Sequence, residues 1–512
     1  MRSLHAAVWT WLTGLSTLVA ATSAALVPTG PTLSSATEFT AAPTITWRAC
    51  AQAALRTAHA QCGLLSVPLD YAHPTGRHIS IAVSRIRATG PVAARQGPLV
   101  INPGGPGDAG LGESAYLAGT LPKDITAAYD LIGFDPRGVG RSRPALVCTK
   151  NYQAGVRPHY APTSKHDPVI RTWRKRSAGF ARACGKAQPA LLAHASTADA
   201  ARDLDELRRA LGTRQISYYG FSYGTYLGQV YATLFPTHTR RLVFDGVVDP
   251  HGVWYGAEHA QDLAFQTAIQ HFFAWVAGHD KVLHLGATEK AVRARNVREQ
   301  HALDRKPVGV IGGDEWNDVF LDAGYFQSDW PDLAAAWRDW AAGKHERMLR
   351  RYRDNLADQD NSYAMYLAVQ CADAPWPRDW ATWRRDATAL AARAPFETWA
   401  NVWYDAPCLT WPVPGGRPVS INGAATPSVL LVNSTLDGAT PFTGALAVRR
   451  LFPHAVLVAQ VGSTSHADSL NGNHCVDAAV LAYLRRGTLP PRKLTDGPDV
   501  SCKRSPLPAP PH

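Results

Sequence analysis

No Cys-x-x-Cys pair occurs in the 512 residues, and no cluster of potential ligands has metal-site spacing, so zinc and thiol-redox readings are poor. No Gly-Lys-Ser/Thr follows a glycine-rich turn, which argues against a P-loop. Beyond the N-terminus no run reaches the roughly 18 apolar residues that a membrane helix needs. Internal repeats are absent. Charged residues make up only 18% against 46% hydrophobic, which places the chain with ordinary globular proteins rather than disordered or membrane-spanning ones.

The N-terminus differs in character. Met1-Arg2 supplies a short positive region, Ala6 to Ala25 is apolar, and Thr22-Ser23-Ala24-Ala25 closes it with small residues. No basic stop-transfer cluster follows, so residues 1–25 read as a cleaved signal peptide rather than an anchor. Residues 26–44 are rich in Thr, Ala, Pro and Ser and read as a flexible leader or propeptide. An even number of cysteines fits export and disulfide bonding. Many connectivities are open to eight cysteines; the expectation adopted is sequential pairing, Cys50/Cys62, Cys148/Cys184, Cys371/Cys408 and Cys475/Cys502. The protein is therefore expected outside the cell, free or associated with the cell wall. Its net charge of +11 does not point to nucleic acid, because basic residues are dispersed next to acids, as from Asp203 to Arg209.

One stretch organises the rest. Gly220-Phe221-Ser222-Tyr223-Gly224 lies between a β-prone run, Gln215 to Tyr219, and a helical pattern from Thr225 to Phe235 that Pro236 stops. A Gly-x-Ser-x-Gly pentapeptide alone is weak. Between a strand and a helix it reads as a nucleophile elbow, whose tight turn lifts the serine hydroxyl off the sheet edge at a helix N-terminus. Ser222 is thus the expected nucleophile, against the alternative of a structural turn.

Around it the pattern is that of an α/β-hydrolase fold, a mostly parallel doubly wound sheet carrying a helical cap. Residues 45–250 form the first part of the core. Val67 to Tyr71 and His78 to Val83 suggest an opening hairpin; Pro98 to Asn102, Leu131 to Asp135 and Arg241 to Asp245 read as buried strands. Residues 199–211 read as a helix with Leu204, Leu207 and Leu211 on one face. From 251 to 410 the signals turn helical, and eleven of the sixteen tryptophans lie there; such a stripe is expected to pack rather than to bind ligand. Strand signals resume in residues 411–504 at Val429 to Asn433 and Val456 to Ala459, and a final helix spans Val476 to Arg486. The proline-rich tail, 505–512, is expected to be disordered.

A serine nucleophile needs a base, and the base needs an orienting carboxylate. In this fold they follow in the order Ser, Asp or Glu, His. Asp437 lies just past one downstream strand and His466 just past the next, where open α/β sheets place their sites. The competing roles are a turn aspartate before Gly438 and, for the histidine, His474 beside Cys475 at a helix start. The oxyanion hole is expected from the Tyr223 N–H and one amide of the turn Pro103-Gly104-Gly105-Pro106-Gly107, with Gly104 the choice. Asp135 and Arg137 read as an internal ion pair bracing the elbow.

Asn102-Pro103-Gly104-Gly105-Pro106-Gly107, Phe134-Asp135-Pro136-Arg137-Gly138-Val139-Gly140-Arg141-Ser142 and Gly220 to Gly228 together resemble the exported tripeptidyl aminopeptidases of actinobacteria, relatives of the prolyl aminopeptidases. The resemblance runs from Trp47 to Cys502 and includes Asp245 to Pro250 and Cys475 to Val480. Pro103 stands where the prolyl enzymes usually carry His, and Ser465-His466-Ala467 replaces a more usual Gly-His-Gly. The resemblance implies an exopeptidase that cleaves short units from peptides with a free N-terminus; separately, no cofactor is expected, and the sequence does not fix the oligomeric state, for which a monomer is the default expectation. Cap carboxylates are then expected to hold the substrate ammonium, with Asp373, Asp314 and Glu315 as candidates against a surface role for each. A secreted carboxylesterase could use the same triad, and a non-catalytic relative would act as a binding module. Dehalogenase or epoxide hydrolase chemistry wants Asp at the elbow, which Ser222 argues against.

Overall fold

The computed structural model describes residues 42–356 and 359–511. The expected signal peptide and nearly all of the leader lie outside the described residues. Among the described residues ten strands form one sheet: β1 (Arg48–Ala49), β2 (Gln61–Pro68), β3 (His78–Ile86), β4 (Gly97–Asn102), β5 (Tyr129–Asp135), β6 (Ile216–Phe221), β7 (Thr239–Asp245), β8 (Val429–Ser434), β9 (Ala455–Val461) and β10 (Val500–Lys503). Their spatial order is β1-β2-β3-β5-β4-β6-β7-β8-β9-β10. The opening strands pair antiparallel, and from β5 to β10 every pairing is parallel.

The central strands read as continuous apolar runs because helices cover both faces and leave no solvated side to alternate toward. In β4 every residue after Gly97 is buried, and β8 is buried throughout. The hairpin begins earlier than Val67, since β2 starts at Gln61.

The four disulfides follow the sequential order: Cys50–Cys62, Cys148–Cys184, Cys371–Cys408 and Cys475–Cys502. Two of them fasten the core beneath the cap. Cys184, near the end of the helix Pro168–Ala187, and Cys408, in the turn Ala406–Thr410, are both buried within the same apolar cluster. Through them the helix is tied back to Cys148, and the turn to Cys371 on the cap helix Gln359–Asp373. A buried, oxidised cysteine of this kind is a structural crosslink and has no thiolate to offer chemistry.

Between β7 and β8 the chain leaves the sheet to build the cap, a series of helices running from Tyr255 to Thr410. Its interior is aromatic. Trp316, Trp330 and Trp337 are fully buried and pack edge-to-face or tilted against Phe272, Phe273 and Phe320. The tryptophans are thus mainly a packing device, and one, Trp254, faces the central cavity. The cap also draws in an earlier stretch of chain: Trp173, on the helix Pro168–Ala187, stacks on Trp403. Arg157 pairs with Glu315 of the cap helix Gly313–Tyr325.

Two sequence expectations need correction here. Arg137 does not pair with Asp135. Its guanidinium forms a buried, two-pronged ion pair with Asp203, at 2.6 and 2.8 Å, on the helix Thr197–Ala210. Asp135 instead accepts the Leu111 and Arg141 amides at 2.8 and 2.7 Å and so ties down two loops. Nor is the tail wholly detached, since the Trp275 indole donates to the Pro508 carbonyl at 3.0 Å.

Candidate active site

Strand β6 delivers Ser222 to the carboxyl edge of the sheet, and the helix Tyr223–Leu234 starts immediately after it. Ser222 itself has φ +54° and ψ −126°, a conformation that a non-glycine residue holds only where the surroundings enforce it. The enforcement is visible: the Ser222 N–H donates to the Asp245 carbonyl at 2.9 Å. The flanking glycine is a steric requirement, because a Cβ at Gly220 would lie 2.4 Å from the Gly224 carbonyl oxygen.

Asp437 and His466 sit in the loops beyond β8 and β9 and meet there, both buried. His466 Nδ1 lies 2.9 and 3.0 Å from the two Asp437 oxygens. The carboxylate also accepts the Ala439 and Thr440 amides and the Thr440 hydroxyl, each at 2.9 Å. This satisfaction on every side keeps Asp437 fixed, so Nδ1 carries the proton and Nε2 is the acceptor. Nε2 is buried and makes no hydrogen bond within the described residues. Burial disfavours the imidazolium, but the charge and hydrogen bond of Asp437, with help from Asp245, outweigh it and raise His466 above its ordinary value. From the cap, the Tyr325 carbonyl accepts the His466 N–H at 2.7 Å and the Tyr325 ring stands edge-on to the imidazole. His474, the rival, is exposed at the start of the last helix.

The glycine-rich turn after β4 packs against the elbow, where a Cβ on Gly104 would lie 2.9 Å from Ser222 Cβ. The Gly104 N–H donates to Asn102 Oδ1 at 3.1 Å and is thereby occupied. Gly105, next in the turn, lines the cavity with Tyr223, whose N–H is one of the unpaired donors at a helix start. With the Gly104 amide occupied, Gly105 takes its place beside Tyr223 as the candidate oxyanion donor.

A cavity of about 660 Å³ opens over Ser222 between sheet and cap. None of the eight cysteines lines it; Cys184 and Cys408 lie in the packed core, so the disulfides act on the site only by holding its frame. None of the three carboxylates expected to hold an ammonium lines it either. Asp373 accepts the Thr197 amide and hydroxyl at 2.7 and 2.6 Å and the Trp254 indole at 3.1 Å, so its carboxyl is spent on bracing the cavity wall from behind. Glu315 accepts the Arg157 amide and side chain and the Gly312 amide that starts its helix. Asp314 is buried away from the cavity, which pushes it up to about 8.

In their place the cavity wall carries Glu258 and Glu397. Glu258, on the helix Tyr255–Gly278, accepts from Gln370 at 3.1 Å and Asn401 at 3.3 Å, and Asn401 also donates to Asp262 at 3.0 Å. Glu397 Oε2 and Gln370 Oε1, both buried and both in the wall, have no partner within the described residues. Burial raises all four neighbouring carboxyls, Glu258, Asp262, Glu397 and Asp405, with Asp262 pushed up to about 8. Such a cluster favours protons or a cation, since several adjacent carboxylates cannot all ionise in a low dielectric. The sequence carried a faint signal for it: Glu258 and Asp262 stand one turn apart on a helix whose continuing face is Phe265, Ile269 and Phe272.

A strained serine at a helix start lines the cavity, and the loops past β8 and β9 carry a buried His–Asp pair, an inventory that fits an α/β-hydrolase of the serine type. A family model described as TAP-like protein matches residues 394–502. Over most of its length the chain is similar to the tripeptidyl aminopeptidase of Streptomyces lividans, 38% identical with 91% of this chain and 88% of that one covered. It is also similar to the serine protease Hip1 of Mycobacterium tuberculosis, 31% identical with 84% and 86% covered. A third relative, from the same organism, is named carboxylesterase B and is 33% identical with 89% and 91% covered. The chain belongs to the tripeptidyl aminopeptidase-like family of serine hydrolases.

Proposed function

We propose that this protein is an exported serine exopeptidase that releases short units, foremost tripeptides, from peptides with a free N-terminus. The observation that carries the reading is the pair of buried acceptors without a partner among the described residues, Glu397 Oε2 and Gln370 Oε1, beside Glu258 in the wall of the cavity over Ser222. An ammonium supplies the donors these atoms lack, and its charge offsets the cost of ionising a buried carboxyl. A simple ester supplies neither, and an N-blocked peptide keeps one amide N–H but lacks the charge.

In the proposed mechanism His466 Nε2 takes the Ser222 proton as Oγ attacks the scissile carbonyl. The Tyr223 and Gly105 amides receive the oxyanion, and His466 returns the proton to the leaving amine. Asp437 holds the imidazole tautomer throughout. Water, activated by the same histidine, then releases the acyl unit. The cavity of about 660 Å³ has room for several residues rather than one, which supports tripeptides, as do the names of the Streptomyces relatives. Export is supported by the N-terminal pattern and the four disulfides. Among the described residues no helix is long and apolar enough to cross a membrane.

The test is kcat/KM for a free-amine tripeptidyl chromogenic amide, its N-acetylated twin, a single-residue amide and a short-chain ester. Strong preference for the free tripeptide, abolished in Ser222→Ala, is the expected result. Ester turnover without amide cleavage would replace the reading with an esterase, and inactivity on all four with a binding module.

A further inference from the structure

Asp245 ends β7 directly beside Ser222, and no step of the proposed mechanism passes through its carboxyl. Its main chain and side chain point to different partners. The carbonyl accepts the Ser222 N–H at 2.9 Å. The carboxyl Oδ2 accepts the Ser469 N–H at 2.9 Å and the Ser469 hydroxyl, three residues beyond His466 in the same loop. That hydroxyl also meets the Tyr219 OH on β6. The other oxygen, Oδ1, is buried with no hydrogen-bond partner among the described residues. The following residue passes under the imidazole: a Cβ on Gly246 would lie 2.8 Å from His466 Cε1. One short segment thus touches the nucleophile, the histidine ring and the loop that carries the ring.

We propose that Asp245 is a positioning residue of this site, its carboxylate tying the histidine loop to the nucleophile elbow and its negative charge supporting the basicity of His466. The inference rests on the assignment of Ser222 and His466 as nucleophile and base. The groups that face Asp245 are Tyr219 from β6, Tyr116 from the helix Glu113–Thr120, and His466, Asp468 and Ser469 from the histidine loop. Burial pushes Asp245 up to about 7; the Ser469 bonds and His466 act against that, and Asp468 adds to it. Asp245 and His466 consequently titrate as an interacting pair. An ionised Asp245 favours the imidazolium, so removing its charge must lower the pH at which His466 becomes a free base.

The experiment measures kcat and kcat/KM against pH for the parent and Asp245→Asn, which keeps the size and one acceptor but removes the charge. The acid limb of kcat/KM should move to lower pH by roughly one unit, the scale on which a neighbouring buried charge acts. The plateau kcat should fall about tenfold, with KM nearly unchanged, as expected for a slightly misplaced base. A fall in kcat with the acid limb unmoved would mean a purely structural residue and would overturn the inference. Should Asp245→Asn not fold, Ser469→Ala carries the test, because it removes one tie to the carboxylate and leaves the charge; kcat equal to the parent's would overturn the positioning role. Ser222→Ala and His466→Ala run alongside. If either stays fully active, the assignment of nucleophile and base has failed; if both are silent and the limb does not move, only the role of Asp245 falls.

Discussion

Replacing Gly104 with alanine asks whether the glycine-rich turn presses on the nucleophile as closely as described. Gly104 has φ +112°, a region that L side chains rarely adopt, and the added Cβ would stand 2.8 Å from the Phe221 carbonyl oxygen, 2.9 Å from Ser222 Cβ and 3.3 Å from the Tyr223 nitrogen. Ordinary contact begins near 3.4 Å, so the turn and the elbow must separate by about half an ångström. The backbone conformation alone costs about 1–3 kcal/mol. The larger effect is on rate: the separation carries the adjacent Gly105 amide off the oxyanion position, and loss of one such donor lowers kcat roughly 100-fold or more. Steady-state kinetics on a free-amine tripeptidyl amide should show that fall with KM within about threefold, and thermal unfolding should show a modest drop in Tm. Gly119→Ala, where the added Cβ meets nothing within 4 Å, is the control and should behave as the parent. A Gly104→Ala enzyme within about threefold of the parent's kcat would refute the close approach and, with it, the placement of the oxyanion donors.

Glu397→Gln removes the charge but keeps the shape, so the preference for a free amine over its N-acetyl twin should fall by roughly 10- to 100-fold, the worth of a charge-assisted hydrogen bond; an unchanged kcat/KM ratio would move ammonium recognition elsewhere. Because His466 is raised above 6.5 and acts as a neutral base, activity should rise with pH through a midpoint above that value. Asp437→Asn should shift that midpoint down and lower kcat by about four orders of magnitude, as wrong-tautomer variants of such triads do; a pH–rate profile that matches the parent's would count against the pairing. Arg137→Met leaves Asp203 buried without its cation and should cost about 3–5 kcal/mol in denaturant unfolding, with the slope m unchanged.

The parts of the site that were legible in the sequence are those whose geometry is local. Gly220 to Gly224 announces the elbow because a tight strand-to-helix turn admits few residue types, and Asp437 and His466 follow because each lies a few residues past a strand whose apolar run is unmistakable. The parallel sheet was readable for the same reason, since strands buried on both faces lose their alternation. The short edge strands β1 and β10, with two and four residues and mostly exposed side chains, gave no comparable signal. Asp373 was misplaced because an acid next to a cysteine looks the same whether its carboxyl faces a cavity or, as here, braces Thr197 and Trp254 behind the wall.

By itself, then, the sequence determined the alternation of the central strands with helices and the candidates for nucleophile, base and orienting carboxylate. Only the tertiary structure decided what surrounds them. Glu258, Gln370 and Glu397 lie up to 139 residues apart (397 − 258) and come together because three segments of the cap pack over one cavity. Arg137 chose Asp203, 66 residues away, over Asp135, two residues away, because Asp135 is already engaged by the Leu111 and Arg141 amides. The Gly104 amide is occupied because the Asn102 side chain folds back on its own turn. Partnership among buried polar groups is settled by desolvation, which requires each donor and acceptor to find the nearest available counterpart in space, and nearness in space is a property of the packed chain.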